Sequence, residues 1–457
     1  MILSTDTICA ISTPIGVGAI GIVRLSGPKA KYIAEQVWKT RINFRPRYFY
    51  HGTIINPQTN ELLDDAGLLY FKSPNSFTGE DVIEFHIHSG HYILKTLINI
   101  LLDLDARLAE KGEFTKRAFL NNKINLTQAE GIQGLIEAKT KKAQLASLDQ
   151  LQGKLFDLIN NLQKKIIILV EHLDASLDFP EEVDPLSKNK IMTTLTDVMA
   201  QIMPLINKKD YGRYITTGIK CLIVGKPNVG KSSLLNKLAG EERAIVSAIP
   251  GTTRDFIDIT IDLNGVLFEF IDTAGLRNTE NEIEQLGLAK VETLMNSSDC
   301  FIWILDASSK ISHEDLLVYE KIKEKKHVYL ILNKIDLPKK IDLDFINNHD
   351  FNTTIIETSF LNKNDLGLDK LKHLLFDNFL IKFIDQGNNL ICNIRQIDIL
   401  NKIAARLNSL LMNLTEITDD LLAEELKIML QYLGELSGEE ISEELINNIF
   451  SKFCIGK

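Results

Sequence analysis

Eight residues constrain this chain more than any others: Gly225-Lys226-Pro227-Asn228-Val229-Gly230-Lys231-Ser232. They follow a β-branched apolar run, Lys220 to Val224, and open a segment with helical spacing of its leucines. The pattern G-x-x-x-x-G-K-[ST] in that setting predicts a loop whose backbone N–H groups turn inward around phosphate. The helix that follows adds the partial positive charge of its N-terminus. In that role Lys231 reaches the β and γ phosphates and Ser232 ligates Mg²⁺. A fold that presents such a loop is α/β, with a mainly parallel sheet covered on both faces.

The order of the later motifs narrows the nucleotide. Asp272-Thr273-Ala274-Gly275 ends a predicted strand, where Asp272 can hold the Mg²⁺ shell and the Gly275 N–H can sense a γ-phosphate. Asn333-Lys334-Ile335-Asp336 ends a later strand, and the Asp336 carboxylate suits guanine N1 and N2, which offer two N–H donors that adenine lacks. Between them Gly251-Thr252-Thr253-Arg254-Asp255 places a threonine hydroxyl where Mg²⁺ coordination is completed in the GTP state. Leu276 follows Gly275, where Ras-type switches carry a water-orienting glutamine, so another group must orient water and balance charge. Glu282 and Glu284 lie in the same loop.

Around this unit the periodicity changes twice. Residues 1 to 122 alternate short β-branched runs (Ile20 to Leu25, Gly67 to Phe71, Val82 to His86) with turn signals and one helix, Tyr92 to Leu104. From Leu145 through Leu148, Leu151, Leu155, Leu158, Leu162, Ile166, Leu169 and Leu173 to Leu177, apolar residues recur at spacings of three and four, which predicts one long helix. Candidate strands Val266 to Ile271, Cys300 to Leu305, Val328 to Leu332 and Thr354 to Thr358 continue the α/β unit, with Asn264-Gly265 as a hairpin turn. After residue 385 helices return, over Arg395 to Leu414, Asp419 to Glu435 and Glu440 to Phe453. Helices with one apolar stripe need partners. The tail is therefore expected to pack with the 126–210 helices, giving one bundle interrupted by the α/β domain. The expected domains are 1–122, 123–217, 218–380 and 381–457.

Bulk properties exclude several classes. The net charge is −10, so any contact with RNA rests on a local patch or on a partner. Cys9, Cys221, Cys300, Cys392 and Cys454 are odd in number and form no C-x-x-C pair, which argues against a disulfide framework or zinc site. Asp6 interrupts the N-terminal apolar stretch, and no uninterrupted apolar run reaches the roughly 18 residues that span a bilayer. A cytoplasmic protein with no membrane association is expected.

Beyond the shared GTPase motifs, several segments carry a resemblance. They are Asp6-Thr7-Ile8, Gly21-Ile22-Val23-Arg24-Leu25-Ser26-Gly27, Asn75-Ser76-Phe77-Thr78-Gly79-Glu80-Asp81, Gly112-Glu113-Phe114 with Arg117-Ala118-Phe119-Leu120-Asn121, and the terminal Phe453-Cys454-Ile455-Gly456-Lys457. The chain resembles the tRNA-modification GTPases called MnmE or TrmE over nearly its whole length. The resemblance implies a multidomain fold: a Ras-like G domain inserted in an all-α helical domain, with an N-terminal α+β folate-binding domain. It implies a homodimer through the N-terminal domains and a heterotetramer with an FAD-containing partner. Together they would modify carbon 5 of the wobble uridine of certain tRNAs with an aminomethyl-type group. The one-carbon unit would come from a folate of the 5,10-methylene- or 5-formyl-tetrahydrofolate type.

The same resemblance assigns residues. The folate contacts fall on Arg24, Glu84, Lys123 and Lys457. A K⁺ ion stands in for an arginine finger, with ligands matching Asn228, Ser247, Ile249 and Thr252, while Mg²⁺ falls to Ser232 and Thr253. GTP contacts cover Asn228, Val229, Gly230, Lys231, Ser232, Ser233, Ser247, Ala248, Ile249, Pro250, Gly251, Thr252, Thr253, Asp272, Thr273, Ala274, Gly275, Asn333, Lys334, Asp336, Thr358 and Ser359. The water-orienting acid matches Glu284 rather than Glu282, and Cys454 is a thiol candidate for catalysis. The family's last G motif, a Ser-Ala pair, is replaced here by Thr358-Ser359-Phe360. Two rival functions share the G motifs: a ribosome-assembly or translation GTPase switch, and a folate-dependent transferase whose G domain only regulates.

Overall fold

A computed structural model describes residues 6–14, 16–240, 244–245, 258–272, 292–342, 354–361, 366–381 and 392–457. Its contacts divide the chain into two units. One comprises Met1–Gln133, Leu148–Met199 and Lys402–Lys457, and the other Gly134–Ser147 and Ala200–Asn401.

The first unit begins with a six-stranded sheet, in the order β3-β4-β5-β2-β1-β6. The strands are β1 Thr7–Ile11, β2 Gly18–Ser26, β3 Phe49–Ile55, β4 Leu62–Phe71, β5 Val82–Ser89 and β6 Ala106–Leu108. All pairings are antiparallel except β1 with β6. Helices α1 (Ala30–Val37) and α2 (His91–Asp103) send Ile33, Val37, Leu94, Leu97 and Leu101 into one core with Val23, Leu25, Ile83 and Phe85 of the sheet. The alternation along β5 is strict: Ile83, Phe85 and Ile87 are buried, while Glu84, His86 and His88 point to the other face. Helix α3 (Glu113–Leu120) follows, started by Gly112 in the left-handed region at φ 67°.

The leucine stripe read as one helix is two: α5 (Lys141–Leu151) and α6 (Lys154–Asp178). Gly153 separates them at φ 85°, a conformation a helix interior does not allow but glycine adopts freely. The 3.6-residue period survives the break, which is why spacing alone misses it. Within the first unit the C-terminal helix Asp419–Ser437 packs along α6 with the ion pair Lys427–Asp174 at 3.0 Å, and Asp419 at its start pairs with Lys188 of the next helix, Lys188–Asn207, at 3.1 Å. The return of the tail to the earlier helices is as expected from their unpartnered stripes.

The second unit is built on a seven-stranded sheet, in the order β13-β12-β11-β7-β10-β9-β8. Its strands are β7 Ile219–Val224, β8 Ala244–Ile245, β9 Asp258–Leu263, β10 Val266–Asp272, β11 Cys300–Asp306, β12 Val328–Asn333 and β13 Ile355–Glu357. Strands β13, β12, β11, β7 and β10 run parallel, and β9 turns back through Asn264 (φ 54°) and Gly265 (φ 85°), the two positive angles of a type I′ hairpin. This is a Ras-like G domain. Its central strands are apolar on both faces because helices cover both, as Ile223, Ile302 and Ile331 in one core and Leu222, Trp303 and Leu330 in the other show.

Candidate functional site

The motif residues collect at the carboxyl edge of the parallel strands, where open α/β sheets bind ligands. Strand β7 delivers Gly225, at φ 149°, where a Cβ would lie 2.6 Å from the Ile304 carbonyl oxygen. Only glycine fits that approach. The loop closes at Gly230 (φ 109°), which starts helix α9 (Lys231–Ala239) without any side-chain cap. Uncapped first-turn N–H groups next to a positive dipole end are what a phosphate needs. A Cβ at Gly230 would sit 2.2 Å from Asn333 Nδ2. Lys231 Nζ donates to the carbonyls of Gly225 and Lys226, each at 2.8 Å. Ser232 and Ser233 are exposed at the helix start, and Asn228 is exposed in the left-handed region at φ 64°.

Asn333 joins the guanine end to the phosphate end. Its Nδ2 donates to the Val229 carbonyl at 2.7 Å, and its Oδ1 accepts the Phe360 N–H at 3.2 Å. Asp336 is exposed beyond β12, open to a base. Thr358 and Ser359 are buried after β13, and Ser359 Oγ has no hydrogen-bond partner among the described residues. Lys334 Nζ pairs with Asp306 at 2.7 Å. Burial pushes the Asp306 carboxyl up, but hydrogen bonds from Lys334 and Ser308 outweigh it and hold it below the usual carboxylate range. Asp272 ends β10 beside Ile223 of β7, buried next to the phosphate loop. The fit to a guanine nucleotide with Mg²⁺ therefore rests on uncapped N–H groups, a buried lysine and an orphaned hydroxyl. Ser247, Ala248, Ile249, Pro250, Gly251, Thr252, Thr253, Thr273, Ala274, Gly275 and Glu284 lie outside the described residues.

A second constellation lies in the first unit. Arg24 on β2 stands opposite Glu84 on β5, and its Nε and Nη2 donate to Glu84 Oε1 at 2.9 and 2.7 Å. The Arg24 guanidinium also lies 5.6 Å from the buried Phe114 ring. His86 Nε2 is buried without a hydrogen bond, 3.7 Å from Glu84 Oε2. The C-terminus reaches the same place. Lys111 bridges Ile455, the Gly112 N–H donates to the Cys454 carbonyl at 3.3 Å, and the Phe114 N–H donates to the Lys457 carbonyl at 3.2 Å. Gly456 permits this at φ 89°, since a Cβ there would meet the Ile11 oxygen at 2.3 Å. Phe114 thus touches both Arg24 and Lys457. Lys123 donates to the Pro74 carbonyl at 2.9 Å. The Cys454 side chain is exposed. A carboxylate paired with a guanidinium beside an aromatic ring, with an orphaned imidazole nitrogen, suits a heteroaromatic ligand bearing both N–H and carboxylate groups.

Comparison with known proteins places the chain in a family. Residues 7–123 match the family model of the GTP-binding protein TrmE N-terminus, and residues 126–454 match that of the MnmE helical domain. A protein called tRNA modification GTPase MnmE from Natranaerobius thermophilus is 39% identical over 461 residues, covering 100% of both chains. The chain belongs to the MnmE family. Proteins of the same name from Clostridioides difficile and Aquifex aeolicus are each 38% identical, covering 99% of this chain and 99% and 100% of theirs.

In this MnmE-family G domain one contact was not legible from the motifs. Lys226, second in the phosphate loop, places its Nζ 2.8 Å from Asp315 Oδ2 and 3.4 Å from both Ser309 and Ser312 Oγ. Asp315 is 1% exposed, and the same oxygen accepts the Ser312 N–H and hydroxyl in the capping box of helix His313–Ile322. The S-x-x-D spacing signals the cap. Nothing in it signals the lysine. The pair latches the loop to a helix start and neutralises a buried carboxylate near the phosphate site. Lys226→Met is expected to destabilise the G domain by about 3 kcal/mol, because it strands that charge. Adding Asp315→Leu is expected to recover much of the loss in urea unfolding. A double variant as unstable as the sum of its singles would exclude the latch.

Proposed function

We propose that this tRNA-modifying GTPase couples K⁺-stimulated GTP hydrolysis to modification of carbon 5 of the wobble uridine of certain tRNAs. It acts as a homodimer joined with an FAD-containing partner protein, and the one-carbon unit comes from a folate. The observation that carries this reading is the docking of the C-terminal Cys454-Ile455-Gly456-Lys457 beside the Arg24–Glu84 pair, in a chain that also holds the phosphate loop. A ribosome-associated switch has no use for that second constellation.

Each residue has a role in this reading. Lys231 holds the β and γ phosphates, Ser232 and Thr253 hold Mg²⁺ with Asp272 behind them, and Asp336 selects guanine. Asn228, Ser247, Ile249 and Thr252 offer oxygens to a K⁺ ion, which supplies the positive charge an arginine finger supplies elsewhere. Glu284 orients the attacking water. Arg24, Lys123 and Lys457 meet folate carboxylates and Glu84 meets the pterin edge, once the Arg24–Glu84 pair opens to share its partners. Among the described residues no helix is long and apolar enough to cross a membrane.

The test is a digest of total tRNA from cells with and without this chain, read by mass spectrometry. Loss of carbon-5 aminomethyl-type uridines is expected, restored by the wild-type chain but not by Lys231→Ala. Unchanged uridines would overturn the reading.

A further inference from the structure

The N-terminal domain carries one strongly basic segment in an acidic protein. Residues 36–60 contain Lys39, Arg41, Arg45 and Arg47 and no Asp or Glu, although the whole chain has a net charge of −10. All four cations are exposed. None of the four is in an ion pair among the described residues, and the one side-chain hydrogen bond found for them, Arg47 Nη2 to the Asn75 carbonyl, is long at 3.5 Å. Neighbouring cations behave differently: Lys29 pairs with Asp105, and Lys31 with Glu35 and Asn43.

The segment is held by its backbone rather than by these side chains. The Lys39 N–H donates to the Thr53 carbonyl, Arg45 N–H to the Tyr50 hydroxyl and Arg47 N–H to the Tyr70 carbonyl, at 3.0, 2.7 and 2.7 Å. Phe44 is buried, with its ring centroid 6.2 Å from Trp38 and 5.2 Å from Tyr50, both edge-on. Exposure therefore alternates from Arg41 to Arg45, charged and polar residues outward and Ile42 and Phe44 inward. Arg47 is kept in the left-handed region at φ 61°, which arginine adopts only when its surroundings impose it. Next to it Tyr48 is 59% exposed, its ring tilted against that of Tyr50 with centroids 4.8 Å apart.

We propose that Lys39, Arg41, Arg45 and Arg47 form a phosphate-contact surface for tRNA, with Tyr48 available to stack on an unpaired base; this rests on the tRNA-modifying reading above. Four unpaired cations on a fixed backbone suit a polyanion, and ordering them costs little because the chain is already anchored. Exposed aromatics beside cations serve splayed bases in RNA loops. The surface also answers how a chain this acidic touches RNA at all.

The test uses the full chain and unfractionated tRNA, with affinity measured across a series of KCl concentrations. Lys39→Gln/Arg41→Gln/Arg45→Gln/Arg47→Gln is expected to bind roughly a hundredfold more weakly near physiological salt, with the log–log salt slope lowered by about 3. GTP turnover without RNA is expected to be unchanged, which also reports that the variant folds. Should the quadruple variant misfold, Arg41→Gln and Arg45→Gln are each expected to lower the slope by about 1. Unchanged affinity and slope would overturn the proposal, as would a wild-type chain with no affinity for tRNA. Unchanged binding with wobble modification lost in cells would overturn it too and assign the patch to a protein partner. The wild-type effect on wobble uridines is scored separately, so failure of the patch leaves that reading standing.

Discussion

Exchanging potassium for sodium at equal ionic strength is expected to slow GTP turnover by roughly 10³-fold while leaving nucleotide affinity unchanged, since charge balance by an arginine finger is worth about 10³–10⁵. At the carboxyl edge of the sheet, Lys226 is engaged by Asp315 and Lys334 by Asp306. On the proposed reading Lys231 holds the β and γ phosphates, and Leu276 stands where a Ras-type switch has its glutamine. On the same reading a bound K⁺ ion meets the charge developing on the transferred phosphoryl group. Asn228 presents an amide oxygen in a left-handed turn that asparagine tolerates well. Phosphate release measured in both salts checks this. Asn228→Gly keeps the backbone conformation but removes the ligand, and is expected to abolish the potassium advantage. Equal rates in both salts for the wild-type chain would remove the cation from the mechanism.

What the sequence disclosed and what it hid divide along physical lines. The G domain was legible because its motifs are backbone devices: glycines where φ is positive or another chain approaches, and an Asn-Gly hairpin. Gly225 and Gly230 take the positive backbone angles that a phosphate-loop pattern asks of glycine, and the 264–265 turn is the hairpin its Asn-Gly pair predicts. The long leucine stripe misled because periodicity measures which face is apolar, not whether the helix is continuous across Gly153. The second constellation was legible only through resemblance. Arg24 and Glu84 are 60 residues apart and meet by strand register, and Lys457 joins them because the tail returns to Gly112 and Phe114. The Lys226–Asp315 latch shows the same limit, since helix His313–Ile322 announces its cap but not which lysine it will meet.

The second large effect concerns the support under that constellation. Arg117→Met is expected to destabilise the N-terminal domain by about 4 kcal/mol at pH 7, close to a thousandfold in its folding equilibrium. Arg117 is 5% exposed on its side chain and answers three acids: Asp6 Oδ1 at 2.7 Å, Glu113 Oε1 at 3.0 Å and Glu80 Oε1 at 3.2 Å. Arg107 supports two of them, meeting Glu113 and Asp6 each at 2.7 Å. Removing Arg117 leaves the buried Glu113 and the half-buried Glu80 and Asp6 short of a partner, and α3, which carries the Phe114 N–H that holds Lys457, loses its anchor. The pH dependence has a definite sign. Burial pushes the Glu113 carboxyl up, but hydrogen bonds from Arg107, the Glu110 N–H and Arg117 outweigh it, and the folded value lies below that of an ordinary glutamate. For Asp6 burial is likewise outweighed by Arg107 and Arg117. Carboxyls held low when folded contribute stability above the ordinary Asp and Glu range and lose it as the pH falls through their lowered values. The stability gap between wild type and Arg117→Met is therefore expected to be widest at neutral pH and to shrink on acidification through that range. Urea unfolding of the N-terminal domain at a series of pH values reads it directly. A gap that widens as the pH drops, or no gap at pH 7, would mean that the cluster is a solvated surface network and that the C-terminal dock does not depend on it.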